Sequence, residues 1–126
     1  MHLLDTNALL WWVTEPRRIP SAIRGILSDP AQDVFYSVIG PWELSIKHAK
    51  GKLPLPKNFF PTLPKLGFDC LPVTDAHVEA LCALPKLHGD PFDRMLIAQA
   101  HTEKMTLITS DKRLAAYPIK TLLIKP

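Results

Sequence analysis

Short apolar runs that stop at an acid and restart as a helix recur along this chain, and they restrict its fold more than any other feature. "HLL" precedes Asp5 and "NALLWWVTE" follows it, while "TLITS" precedes Asp111, which opens a short helix through Ala116. "VFYSVI", rich in β-branched and aromatic residues, reads as a strand, Gly40 and Pro41 as a turn, and "WELSIKHAKGK" as a helix with apolar positions at helical spacing. Further helices are expected in "SAIRGILSD", closed by Asp29 and Pro30, in "DAHVEALCAL" with Thr74 or Asp75 as cap, and in "DPFDRMLIAQAHTEK". "CLPVT" and "KTLLI" supply the remaining strands. Residues 53–72 hold Pro54, Pro56, Pro61, Pro64 and Pro72, a density that leaves room for one or two short turns in a surface excursion. Strands alternating with helices form βαβ units, so the expected fold class is α/β: a three-layer sandwich with a mainly parallel central sheet flanked by helices. At 126 residues, the whole chain, 1–126, is expected to be one domain.

An apolar fraction of 47% with 21% charged residues suits an ordinary globular interior, and no run approaches the ~18 apolar residues of a membrane span. Asp5 interrupts the N-terminus where a secretory signal would carry its apolar stretch, so the protein is expected in the cytoplasm with no membrane partner. Cys70 and Cys82 stand alone, without the paired spacing of a zinc site, and read as reduced thiols in the core. The formal charge of +3 is too small to imply a polyanionic partner, although Arg17 with Arg18, Lys112 with Arg113, and Lys47, Lys50 and Lys52 form clusters. The last group equally suits a helix C-terminus ahead of Gly51. The five histidines show no metal-binding spacing, and structural or solvent-facing roles are expected for all of them, His88 included.

Each acid of interest reads, on its own, as a helix cap. Asp90 suits an N-cap, Pro91 the first helical position and Asp93 the third; Asp5, Asp111 and Glu43 likewise lie at or in first helical turns. Taken together they admit a second reading. In an open parallel sheet every helix N-terminus that follows a strand lies at the carboxyl edge, where ligands bind in the crevice at which strand order reverses. Two like charges at ~4 Å repel by roughly 4 kcal/mol at an effective dielectric of 20, whereas a helix N-terminus returns only ~0.3–1 kcal/mol to each ionised group. A cluster of this kind calls for protonation, separation or a cation. Carboxylates without converging His or Cys select Mg2+ or Mn2+, and those ions imply phosphodiester chemistry.

"LLDTNALLWW", "PWELSIKHAKGKL", "HGDPFDRMLIAQA" and "TLITSD", in this order and over nearly the whole chain, resemble the PIN-domain ribonucleases, and specifically the VapC-type toxins of bacterial type II toxin–antitoxin pairs. The resemblance implies a metal-dependent endoribonuclease whose acidic set is Asp5, Glu43, Asp93 and Asp111. Asp5 and Asp93 would be the principal ligands of Mg2+ or Mn2+, Glu43 and Asp111 would complete the site directly or through water, and one carboxylate would orient the attacking water. Thr6, Asn7 and Ser110 resemble the family's small polar neighbours that bond ligands or a phosphate, and Arg94 is a candidate for RNA phosphate. Asp90 is read as the cap. Trp11, Trp12 and Trp42 are read as core or interface residues. The resemblance further implies a homodimer, formed through the early helices, and a cognate antitoxin that lays a peptide into the remaining groove. Two rivals share the expected fold: a phospho-acceptor receiver domain, whose paired early acids this chain lacks, and a binding module without catalysis.

Overall fold

The computed structural model describes residues 1–125. Strands β1 (His2–Leu4), β2 (Val34–Ser37), β3 (Asp69–Leu71), β4 (Thr106–Thr109) and β5 (Thr121–Leu123) form one sheet in the order β3-β2-β1-β4-β5, and every pairing is parallel. The central register aligns Leu3 with Phe35 on one side and Leu107 on the other. The receiver alternative does not fit this order, because such domains follow the flavodoxin-like pattern, roughly 2-1-3-4-5. Helices α1 (Thr6–Thr14), α2 (Ser21–Ser28), α3 (Ile39–Ala49), the single turn α4 (Phe59–Thr62), α5 (Asp75–Ala83) and α6 (Pro91–Glu103) connect the strands. The excursion through residues 53–72 holds α4, a 3-10 turn at Leu63–Lys65 and, at its end, the edge strand β3.

The two-residue period of the strands divides the interior into two cores. Leu4, Val34, Tyr36 and Ile108 face one side and pack with Leu9, Ile23, Leu27 and Leu44. Leu3 and Leu107 face the other and pack with Leu96, Ile97, Leu114 and Tyr117. The sheet is therefore covered on both faces, as its nearly continuous apolar strands demand.

Several local expectations change. Gly40 and Pro41 do not form a turn; β2 ends at Ser37 and α3 already begins at Ile39. Proline is harmless there, because the first turn of a helix has no intrahelical partner for its N–H. Gly40 has an additional use: a Cβ on it would meet Leu9 Cδ2 at 3.4 Å, so its bare backbone lets α3 lie close against α1. Cys70 and Cys82 are exposed rather than in the core, on the edge strand β3 and the outer face of α5. Thr74, not Asp75, caps α5, in a capping box closed by the His77 side chain. Trp11 and Trp12 pack against the core, as expected; Trp12 meets Phe68, and Arg18 lies over the Trp11 ring at 4.1 Å.

Candidate functional site

The strand order reverses between β1 and β4, and three of the four expected acids come together at the carboxyl edge of that junction. Asp5 follows β1 directly. Its backbone N–H extends the sheet by donating to Ile108 O (3.0 Å), and its Oδ1 caps α1 by accepting from Ala8 N–H (2.8 Å). Helix α3 packs against both α1 and α6 and so carries Glu43 between them. Asp93 enters from the first turn of α6, where Asp90 Oδ1 accepts from the N–H groups of Phe92 (2.9 Å) and Asp93 (3.0 Å). Asp90 is thus the helix cap, as expected, and its charge lies close enough to act on Asp93.

Burial and mutual repulsion raise the proton affinity of Asp5 and Asp93. Asp5 is 5% exposed, and desolvation pushes its carboxyl up to about 7; hydrogen bonds from the Thr109 side chain and the Ala8 N–H oppose that rise, and the charges of Asp93 and Glu43 add to it. Asp93 is pushed up to about 6, by burial first and then by the charges of Asp90 and Glu43, with His88 acting against them. Glu43 is equally buried. Its Oε2 accepts from Lys47 Nζ at 2.6 Å, while its Oε1 has no hydrogen-bond partner among the described residues. Thr6 Oγ1, beside Asp5, is also buried and without a partner. Two buried oxygens without partners next to carboxylates with raised proton affinity are hard oxygen donors, a chemistry that fits Mg2+ or Mn2+.

The protein does not offer a closed cage. Among the described residues no three His, Cys, Asp or Glu side chains stand close enough to ligate one ion together. An open arrangement is what Mg2+ accepts, since it commonly keeps several waters and takes one or two protein carboxylates together with substrate phosphate.

Asp111 differs from the other three in its partners. It caps the 3-10 turn Lys112–Ala116, and both of its carboxylate oxygens are held by Arg113, Oδ2 at 2.6 Å from Nη2; this pairing holds the carboxyl below its usual range. Arg94 forms no ion pair among the described residues; its Nη1 donates to Pro85 O (2.9 Å) and to the Tyr117 hydroxyl (3.3 Å), bracing the loop before α6. Asn7 is exposed. Ser110 lines a cavity of about 340 Å3 with Lys112, Leu123, Ile124 and Lys125, adjoining a second beside Trp11 and Arg18. Trp42 is 55% exposed and meets Phe92 edge-on at 5.1 Å, so the residues preceding Glu43 and Asp93 clamp α3 to α6.

Sequence reasoning missed four participants: Thr109, Lys47, Tyr117 and His88. The Lys47–Glu43 spacing of four residues on one helix was a readable signal. His88 was expected to be structural or solvent-facing, yet its Nε2 lies 3.5 Å from Asp93 Oδ2.

Fold and site together define a parallel three-layer α/β domain with an acidic crevice at its topological switch point. The chain belongs to the PIN domain family, whose pattern it matches over residues 2–120. It is similar to the ribonuclease VapC22 of Mycobacterium tuberculosis, with 27% identity over 118 residues covering 91% of this chain and 90% of that protein. Its fold is shared with DNA-bound VapBC from Salmonella typhimurium (TM-score 0.74, 17% identity, 98% of each chain). A toxin–antitoxin complex from Klebsiella pneumoniae also shares it (TM-score 0.70, 20% identity, 99% of this chain and 98% of that one).

Proposed function

We propose that the protein is an endoribonuclease, the toxin of a type II toxin–antitoxin pair, and that it hydrolyses RNA phosphodiester bonds with Mg2+ or Mn2+ held by Asp5 and Asp93. The observation that carries this reading is the trio of Asp5 and Glu43, both buried, and the partly buried Asp93, with the carboxyls of Asp5 and Asp93 raised well above the usual range beside oxygens that lack partners. A cation in its midst would stabilise the ionised form of such a group. When bound, that cation would activate a water, polarise the phosphoryl group and stabilise the leaving oxygen. Asp5 is held for its task by Ala8 and Thr109. Glu43 Oε1 is the free acceptor that would orient a water, and Asp111 would act through water rather than directly. Thr6 would bond a ligand or phosphate, and Ser110 with Lys112, Lys125 and Arg18 offers the RNA backbone a basic path away from the acids. Arg94 keeps a phosphate contact only if it leaves the 85–88 loop.

The matched relative is a ribonuclease, and the two structures that share the fold are of toxin–antitoxin systems; both support a cognate antitoxin as partner. A homodimer through the α1–α2 side and residence in the cytoplasm complete the reading; no helix of the described residues is long and apolar enough to cross a membrane.

The test is cleavage of total RNA by purified protein with Mg2+ or Mn2+, with chelator, and with Asp5→Asn and Asp93→Asn. Metal-dependent cuts that both variants abolish support the reading. Cleavage that survives both variants or the chelator overturns it. Light scattering that returns the mass of a single chain at micromolar concentration removes the dimer.

A further inference from the structure

The Tyr117 hydroxyl sits among three groups that can only donate: the backbone N–H of Leu87, the backbone N–H of His88 and Arg94 Nη1, each at 3.3 Å. Its oxygen lone pairs are therefore committed, and its own proton has one acceptor within reach, His88 Nδ1 at 2.8 Å. A ring that accepts at Nδ1 carries its hydrogen on Nε2 in the neutral state. That nitrogen is buried in a side chain only 6% exposed and has no hydrogen-bond partner among the described residues, and it lies 3.5 Å from Asp93 Oδ2. An N–H so fixed is a donor with the Asp93 carboxylate as its neighbour.

We infer that His88 is a positioning residue for Asp93: Tyr117 locks its tautomer so that Nε2–H is the donor beside Oδ2 of Asp93. Arg94 and the two backbone N–H groups are the supports that fix the Tyr117 hydroxyl, which explains why Arg94 faces the 85–88 loop instead of an acid. Tyr117 is 3% exposed within the second core, so the lock is anchored in packing and not in a mobile side chain. The inference rests on the proposed function where it concerns metal affinity; the tautomer stands independently of it. Hydrogen bonds to ligand carboxylates of this kind change metal affinity by about 10–100-fold.

The test uses the metal-free full chain first. Ring nitrogen shifts measured by NMR at pH 8 should report His88 as the Nε2–H tautomer in the wild type. They should move toward the Nδ1–H form in Tyr117→Phe, which keeps the aromatic bulk, and the Nε2 signal should shift in Asp93→Asn. Calorimetric Mn2+ affinity should then fall by about 10–100-fold in His88→Ala, with His88→Gln, which keeps a donor at nearly the same reach, recovering part of it. An Nδ1–H tautomer in the wild type, or an unchanged tautomer in Tyr117→Phe, overturns the lock. Unchanged Mn2+ affinity in a folded His88→Ala protein overturns the positioning role. Absence of Mn2+ binding in the wild type rejects the proposed metal site instead, and leaves the tautomer measurements to decide the lock.

Discussion

Lys47 Nζ lies 2.6 Å from Glu43 Oε2, one helical turn away, so the acidic crevice carries a built-in cation on one side of its buried carboxylate. The lysine is half-exposed and Glu43 almost fully buried, and the pairing raises the lysine's proton affinity through its hydrogen bond to Glu43. Replacing Lys47 with Met removes a partial counter-charge without touching the acids. The metal-free protein should lose about 1 kcal/mol, less than a fully buried charge-assisted bond because half of the lysine already sees water. Mn2+ should bind more tightly and restore a larger part of the thermal midpoint than it does in the wild type. Thermal scans with and without Mn2+ check this; weaker binding in Lys47→Met would mean that the lysine orients Glu43 rather than competing for it.

Stability of the metal-free protein should fall as pH rises. A carboxyl whose folded pKa exceeds its unfolded value binds its proton more tightly in the native state. Its contribution to stability is therefore complete below about pH 4 and is lost as pH rises through about 7 for Asp5 and about 6 for Asp93. Each unit of that rise corresponds to about 1.4 kcal/mol. The thermal midpoint should drop by several degrees between pH 5 and pH 8, and saturating Mn2+ should cancel the drop. Asp5→Asn keeps an oxygen for the Ala8 cap and should flatten the profile, leaving the metal-free variant more stable than wild type at pH 8. At pH 6.5, Mn2+ binding should release about one proton, visible as a dependence of the calorimetric heat on buffer ionisation enthalpy.

The alternation of strands and helices was legible because parallel strands buried on both faces leave uninterrupted apolar runs, and because Asp5, Asp90 and Asp111 are true caps that mark where each helix begins. Convergence of Asp5, Glu43 and Asp93 was legible too, since topology sends the first turns of helices that follow strands to one edge. The Gly40–Pro41 pair misled because the same residues serve a turn and a first helical turn. Exposure of Cys70 was hidden because sequence does not say which strand is the edge, and that of Cys82 because it does not say which face of α5 points outward. The meeting of His88 with Tyr117, 29 residues away, depends on side-chain packing that no local pattern encodes.

Asp90 and Asp93 should separate cleanly by isosteric substitution. Asn caps a helix about as well as Asp, so Asp90→Asn should keep the fold and most of the cleavage rate, while Asp90→Ala should cost about 1 kcal/mol. Removing the Asp90 charge also removes one cause of the raised Asp93 carboxyl. Asp93→Asn should keep stability and abolish cleavage. A comparable loss of activity in Asp90→Asn and Asp93→Asn would make Asp90 a ligand and not only a cap.

Gly40 should tolerate a methyl group and nothing larger. The 3.4 Å separation from Leu9 Cδ2 is ordinary contact for Ala, and the helical backbone favours Ala by up to about 1 kcal/mol, so Gly40→Ala should be neutral or slightly stabilising. Gly40→Leu must push α3 away from α1, at roughly 1–3 kcal/mol, and move Glu43 with it. Metal-free thermal midpoints and Mn2+ affinity measured on the two variants should diverge, with affinity lost only in Gly40→Leu.

Asp111 should matter less than Asp5 or Asp93. Both of its oxygens are engaged by Arg113 and its carboxyl is held below the usual range, so it reaches the crevice as a fixed, already neutralised charge. Loss of Asp5 or Asp93 removes a group that would touch the cation directly; loss of Asp111 removes one that would act through water. Cleavage rates should therefore fall more than a hundredfold in Asp5→Asn and Asp93→Asn and about tenfold in Asp111→Asn. Arg113→Gln supplies the converse: if Arg113 restrains Asp111 from the site, freeing the carboxylate should strengthen Mn2+ binding, and an equal loss in Asp111→Asn and Asp93→Asn would return Asp111 to the set of direct ligands.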